Sequence, residues 1–454
     1  MRKQQAAALL LALAMIATIS VFAAQGTERA LTDEAQAAET AGTAMQDAKE
    51  AAYAIFRDAA GAAAETATAE DDAALEKPEL EEAPAPEPDA EGTLSFANIG
   101  SRMLEHYYPL LALQESIKDI ESHDYEHRYE DLREDINQLA NLQWYMVLLG
   151  KDSSSLQSSY DTLRKSFDDI KEGVTQKDDE DAVWMYHNGQ NMAIVGGEGL
   201  YIQIKGLQAQ DEQITHALEQ IDRSLQELEL RQKLGQIPAL TVEQLRTTRA
   251  QTASQQQSLR TGIETALLTL KYMVGAELGE PLELGALPKV TDEQLAAMDL
   301  EADLERAKAA SYDLYDANKQ IETFREDTYE EVIERLGESE KIFEVSQVKH
   351  AMRAMQIRYE DALLSFELNF RALYAQVKDA AQVLDTARVL LDAQEREYAV
   401  SAVKFKQGSI SANALADAKD KLTSAKDSVA SAERDLFSKY RSYCWAAEYG
   451  ILNG

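Results

Sequence analysis

The chain has 454 residues, with 45 Lys and Arg against 80 Asp and Glu and a formal net charge of -35, a field that repels both nucleic acid and anionic lipid. Its single cysteine, Cys444, excludes an intramolecular disulfide, so stability has to come from packing. The acidity itself points to a solvated surface before it points to a cation site.

Met1, Arg2 and Lys3 precede a mostly apolar run, Ala6 to Val21, that closes on the small-residue stretch Val21-Phe22-Ala23-Ala24. This is the layout of a secretory signal peptide over residues 1–24. No later stretch offers ~18 uninterrupted apolar residues, so no membrane-spanning helix is expected. Residues 25–92 are rich in Ala, Glu and Thr and include Pro78, Pro84, Pro86 and Pro88. They carry too few large apolar side chains to offset the entropy of ordering, which predicts a disordered acidic spacer that sets distance from a surface.

Beyond Leu94 the only prolines are Pro109, Pro238, Pro281 and Pro288, amid abundant Ala, Leu, Glu, Gln, Lys and Arg. Such a stretch predicts long helices. In a first repeat, 93–275, helices are expected over about Leu94 to Leu149, Ser153 to Ile170, Leu200 to Leu234 and Val242 to Val274. A Gly- and Pro-bearing linker, 276–299, separates it from a second repeat, 300–454, with helices over about Leu300 to Arg335, Ser339 to Lys406 and Ser411 to Glu448. Leu200, Ile204, Leu207, Ile214, Leu218, Ile221, Leu225 and Leu228 follow alternating steps of 4 and 3 with one polar interruption at Asp211, a heptad seam. A second seam runs through Val345, Val348, Met352, Met355, Tyr359, Ala362 and Phe366. It resumes after a stutter in Phe370, Leu373, Val377, Ala380, Leu384, Ala387 and Leu391. A third, Leu415, Ala418, Leu422, Ala425, Val429, Ala432 and Leu436, places alanines where helix axes approach closely. Between Trp184 and Gly199, Asn188-Gly189 and three further glycines favour a short β-hairpin over helix.

Chemistry-bearing residues are sparse. His123 and His127 stand four apart on a helix, a spacing that could share a metal, but no Cys or third His accompanies them and an exposed face is the better account. The run Asp178, Asp179, Glu180, Asp181 lacks the alternating ligands and central glycine of a calcium loop and is expected to be a solvated acidic loop. Tyr440, Tyr443, Trp445 and Tyr449 are expected to pack the last helix. No phosphate loop, nucleophile elbow or zinc-protease helix occurs in the sequence. An enzyme is therefore not expected, and neither a cofactor nor a metal is assigned.

Placing Gly235 over Gly408 sets Ile237 on Ile410 and Val242 on Leu415, so that each half ends a long helix at glycine, turns, and returns in a helix of similar length. This duplicated pattern of long helix, Gly-x-Ile turn and Ala-rich return resembles the TolC-like outer-membrane efflux proteins. Leu94-Ser95-Phe96 and Tyr108-Pro109-Leu110 look like that family's first helix, and the resemblance extends from about Leu94 to Leu452. It implies an all-α fold of long antiparallel coiled-coil hairpins, duplicated, and a homotrimer forming a hollow tube. It also implies docking to a periplasmic-type adaptor (membrane fusion protein) and an inner-membrane transporter. The docking turns would be Leu234, Gly235, Gln236 and Ile237, and Gln407, Gly408, Ser409 and Ile410. Family carboxylates past the second turn ring a gate; Asp417 matches one such position and Ala414 stands at the other, which weakens an acidic gate. The junction from Gly337 to Phe343 is too short and charged for two spanning strands, so a barrel-less relative is expected. It would be secreted across the cytoplasmic membrane into the cell envelope: outer membrane or periplasm, or the extracellular surface if no outer membrane exists. A structural coiled-coil envelope protein without a transport role is the alternative.

Overall fold

A computed structural model describes residues 89–452 apart from Glu91, residues 150–153 and residues 340–341. The expected signal peptide and nearly all of the expected spacer lie outside the described residues. The spacer's end does not: the Asp89 carboxylate accepts from the Ser95 backbone N–H at 2.9 Å. A two-strand ladder opens the described chain, β1 (Thr93–Leu94) pairing in parallel with β2 (Glu283–Leu284). The helices of the first half are α1 (Ile99–His106), α2 (Tyr108–Glu121), α3 (Tyr125–Leu148), α4 (Ser154–Lys171), α5 (Val174–Lys233) and α6 (Ala239–Met273). A short α7 (Asp292–Ala297) leads to α8 (Leu300–Ala310), α9 (Tyr312–Phe324), a π-helical turn (Arg325–Glu330), α10 (Glu331–Leu336), α11 (Phe343–Lys406) and α12 (Ala412–Tyr449). The 64 residues of α11 correspond to roughly 95 Å of helix.

The four long helices form a row in the order α6, α5, α12, α11, each antiparallel to the next. Arg249 and Arg260 of α6 reach Asp222 and Asp211 of α5, and Gln256 donates to Thr215 at 2.7 Å. The α5–α12 join is fixed at one level by Glu198 and Arg441 and, toward the turns, by Arg223 and Asp420. The α12–α11 join is lined by the seam residues: Phe370 and Val377 are fully buried, and Ala380, Leu384, Ala432 and Leu436 nearly so. Burial of each large seam side chain is worth about 1.5–3 kcal/mol. The two hairpins are thus long antiparallel helix pairs packed along the seam residues.

Three expectations need correction. First, Trp184 to Gly199 holds no hairpin and lies within the continuous helix α5. One of its glycines serves packing: a Cβ on Gly197 would lie 2.3 Å from Met103 Sδ, and, from the α1 side, a Cβ on Gly100 would lie 3.3 Å from Ile194 Cγ2. Bare backbone lets α1 cross tightly over α5, which outweighs the helix-weakening propensity of glycine. Gly199, by contrast, has no described atom within 4 Å of its built Cβ. Gly197→Ala should therefore destabilise by about 1–2 kcal/mol, whereas Gly199→Ala should stabilise by about 0.5–1 kcal/mol. Urea denaturation of the two variants measures the opposite signs.

Second, neither expected opening helix is continuous. The first breaks at Tyr107, whose extended backbone (ψ 109) precedes an α2 with Pro109 in its first turn, because proline cannot donate a helical hydrogen bond. It breaks again at Ser122 to Asp124, where the Asp124 carboxylate caps α3 by accepting from His127 N–H. In the second half the break is at Ser311 (ψ 110), whose hydroxyl accepts from Leu314 N–H at 3.5 Å. Third, the interval between the halves is not a bare linker. Besides β2 it carries α7, started by a reciprocal Thr291–Gln294 capping box.

The breaks at Tyr107 and Ser311 occupy equivalent places. Gly275 (φ 67) closes the return helix of the first half against His106, and Gly450 (φ 64) closes that of the second against Ser311. Among the described residues the only strands are β1 and β2. The far end of the first half is where α3 meets α4, and at that of the second Leu336 and Ile342 pack on Val332, Val345 and Val348.

Candidate functional site

The two glycine turns share one geometry. In the first, Gly235 N–H donates to Gln232 O at 2.9 Å and Gln236 N–H to Arg231 O at 2.9 Å. In the second, Gly408 N–H donates to Phe405 O at 2.9 Å and Ser409 N–H to Lys404 O at 2.8 Å. Both glycines sit at φ 71, left-handed backbone that closes a Schellman motif and disfavours any residue with a Cβ. The next helix then starts from Pro238 in one half and from Ser411, whose hydroxyl caps Ala414 N–H at 3.2 Å, in the other.

The turns lie at the same level. The Arg223–Asp420 ion pair and the hydrogen bond from Asn413 to Glu227 at 3.0 Å join α5 to α12 just below them. Leu234, Gly235, Gln236, Gln407, Gly408 and Ser409 are exposed, while Ile237 and Ile410 turn half-inward to seat each turn. Around them stand the exposed apolar Leu230, Leu240, Val403 and Phe405 and the basic last-turn residues Arg231, Lys233, Lys404 and Lys406. Those cations complement the helix C-termini and give a strongly acidic chain a basic, apolar end. Asp417 is exposed one residue before the buried Ala418. The flanking leucines, Val403 and Phe405 were not singled out from sequence, although their place beside the glycines was available as a signal.

At the opposite end, the acidic run Asp178 to Asp181 is not a solvated loop but part of the first turns of α5. Lys319 of α9 bridges Asp178 at 2.8 Å and Asp181 at 2.7 Å, and the Tyr315 hydroxyl donates to Asp181 at 2.7 Å. Carboxylates at a helix N-terminus also meet its positive dipole end. Burial works against the Lys319 charge, but the hydrogen bonds it donates to Asp178 and Asp181 outweigh it and raise the ammonium above the ordinary lysine range. A raised folded value stabilises fully below the unfolded pKa of about 10.4 and is lost as pH climbs through the folded one. The difference in urea midpoint between the chain and Lys319→Met should accordingly stay constant from pH 7 to about 10 and shrink above that.

His123 and His127 take separate partners. His123 Nδ1 lies 2.8 Å from Asp179, which also accepts from the Tyr125 hydroxyl, whereas His127 stands exposed beside Asp131. Among the described residues no group of three or more His, Cys, Asp or Glu is placed to hold a metal ion, and no helix is long and apolar enough to cross a membrane. The C-terminal aromatics pack: Tyr443 and Trp445 are buried, Tyr443 donates to Asp303, and Trp445 Nε1 donates to Glu198 at 2.8 Å.

No protein-family model matches the sequence, and no curated protein matches it. Among solved structures, the chain is similar to the outer membrane protein VceC of Vibrio cholerae, with 11% identity and a TM-score of 0.46 over 78% of this chain and 96% of that one. It is also similar to the CmeC outer membrane channel of Campylobacter jejuni, with 13% identity and a TM-score of 0.37 over 63% and 68% of the two chains. The MtrE outer membrane channel of Neisseria gonorrhoeae matches with 14% identity and a TM-score of 0.38 over 62% and 73%.

Proposed function

We propose that this chain is a wall component of an export conduit in the cell envelope and that it engages an adaptor and, through it, an inner-membrane transporter by its paired glycine turns. The observation that carries the proposal is the matched pair of turns, held level by Arg223–Asp420 and presenting Leu234, Gly235, Gln407 and Phe405 to solvent. Two isogeometric turns side by side offer a partner one continuous apolar and basic surface. Conduction through such a wall calls for no catalytic residue, because the energy comes from the transporter.

The row of four helices has two free edges. Leu364, Leu368 and Val389 of α11 and Leu240, Leu268 and Tyr272 of α6 are exposed along them, and apolar edges of this kind favour closure by further copies. A homotrimer, in which the α11 edge of one copy meets the α6 edge of the next, is the assembly proposed. Light scattering on the purified chain should give three times the chain mass; a monomer at micromolar concentration would remove the closed conduit.

The docking proposal has its own test. Proline fixes φ near -65°, incompatible with φ 71. Gly235→Pro with Gly408→Pro should abolish export or adaptor capture while far-UV circular dichroism stays nearly unchanged. Export at the unaltered rate by a folded double variant would overturn it.

A further inference from the structure

The charges of the α5–α6 hairpin gather on one side. Arg246, Arg249 and Arg260 of α6 reach Glu229, Asp222 and Asp211 of α5 there, and Gln256 reaches Thr215. The same side carries the short elements: Tyr201 donates to Gly285 O and Lys205 to Leu284 O, both at 2.8 Å, which seats the β1–β2 ladder on α5. Arg223 and Glu227 turn instead toward α12, to Asp420 and Asn413.

At about 100° per residue, the other side of the hairpin presents Gln203, Gln210 and Gln213 of α5 and Gln244, Gln251 and Gln255 of α6, all exposed. Along that side no charged residue falls from Gln203 to Ser224 of α5 or from Gln244 to Gly262 of α6, in a chain of which 28% is charged. Solubility alone does not call for such a face, because Glu212, Glu219 and Glu264 stand exposed on the opposite side of the same two helices.

The short elements decide which side meets a bore. Four helices from each of three copies, about 9 Å apart between axes, enclose a bore of roughly 25 Å. Turned inward, three copies of the ladder and of α1, which crosses α5 at Gly197, would obstruct it. In the conduit proposed above, the bare and uncharged side is therefore the inner one. A wall of one sign focuses its field and repels solutes of that sign, whereas amide and hydroxyl groups hydrogen-bond anions and cations alike. Resting on the conduit proposal, we infer that the α5–α6 part of the lining does not sort cargo by charge: polar anions pass it as readily as polar cations, in a chain of net charge -35.

The full chain with Cys444→Ser has no thiol. Gln213→Cys or Gln251→Cys then sets one thiol on the uncharged side, and Gln226→Cys sets one at an exposed position of the charged side. Two methanethiosulfonates of similar size, one ending in trimethylammonium and the other in sulfonate, read the local field as the ratio of their rates, each divided by its rate on free mercaptoethanol. At about 10 mM salt, where the screening length is about 30 Å, the ratio at Gln213→Cys and Gln251→Cys should stay within about threefold of unity. Adding Gln210→Glu and Gln255→Glu should raise it severalfold. A cation preference of about tenfold or more without the added glutamates, or a ratio that they leave unmoved, would overturn the inference.

Size separates that failure from failure of the conduit. Biotin maleimide should label all three thiols, and streptavidin, too wide for the bore, should then capture the assembled chain only through Gln226→Cys. Capture through Gln213→Cys would remove the conduit and the lining with it, whereas a biased ratio without capture would remove the charge-indifferent lining alone.

Discussion

Glu198→Ala should lower the unfolding free energy by about 3 kcal/mol, more than any exposed ion-pair deletion in this chain. The Glu198 carboxylate is almost wholly buried between α5 and α12, where it accepts two hydrogen bonds from Arg441, each at 2.8 Å, and one from Trp445 Nε1 at 2.8 Å. Burial disfavours the Arg441 charge, but the hydrogen bonds and charge of Glu198 more than compensate and raise its pKa. Removing the carboxylate strands a guanidinium and an indole N–H away from water, and breaking such a pair from one side costs about 3–5 kcal/mol. The lower end applies because the Arg441 side chain keeps a third of its accessibility. Replacing both charges, Glu198→Met with Arg441→Met, should recover most of the loss, since neither charge is left unpaired. Urea denaturation of the two single variants and the double variant gives the coupling; additive losses would show that the pair is not what holds α5 to α12.

That join is also where sequence reasoning had least purchase. Periodicity identified the faces of α5, α11 and α12: every residue of the seam from Val345 to Leu391 is buried or half-buried, because the same 3-4 spacing that marks a heptad forces those side chains onto one line. The glycine turns were legible for a related reason, since left-handed closure has few solutions other than glycine. Pairing between the halves was not legible, because Glu198 and Arg441 are far apart in sequence and carry no pattern beyond their charge. The glycines of α5 misled for an instructive reason. Asn188-Gly189 and Gly196-Gly197 have turn-forming chemistry, and only the arrival of α1 against Gly197 shows that bare backbone was needed for proximity. The acidic run at Asp178 misled likewise: its neutraliser, Lys319, lies in the other half.

Gly450→Ala should destabilise by about 2–4 kcal/mol and Gly275→Ala by less, although both occupy the same place in their repeats. Each ends a return helix with positive φ, 64 and 67 respectively, where a Cβ adds about 1–2 kcal/mol of steric strain. What surrounds them differs. A Cβ on Gly275 would meet the His106 side chain, its Cβ at 2.3 Å and its Cγ at 2.5 Å; rotation clears the half-exposed ring but not the Cβ, so the last residue of α1 has to shift as well. A Cβ on Gly450 would meet backbone: Ser311 Cα and N at 2.5 Å and Ala307 O at 2.7 Å. Ser311 is the break between α8 and α9, buried and serving as the N-cap of α9, so it cannot yield without disturbing that cap. Nor can the chain end fray to relieve the clash at no cost, because Ile451 beyond it is buried. Thermal unfolding of the two alanine variants should therefore rank Gly450→Ala below Gly275→Ala. Equal losses would mean that left-handed strain alone, and not the docking of each return helix on the break of its own half, fixes these two glycines.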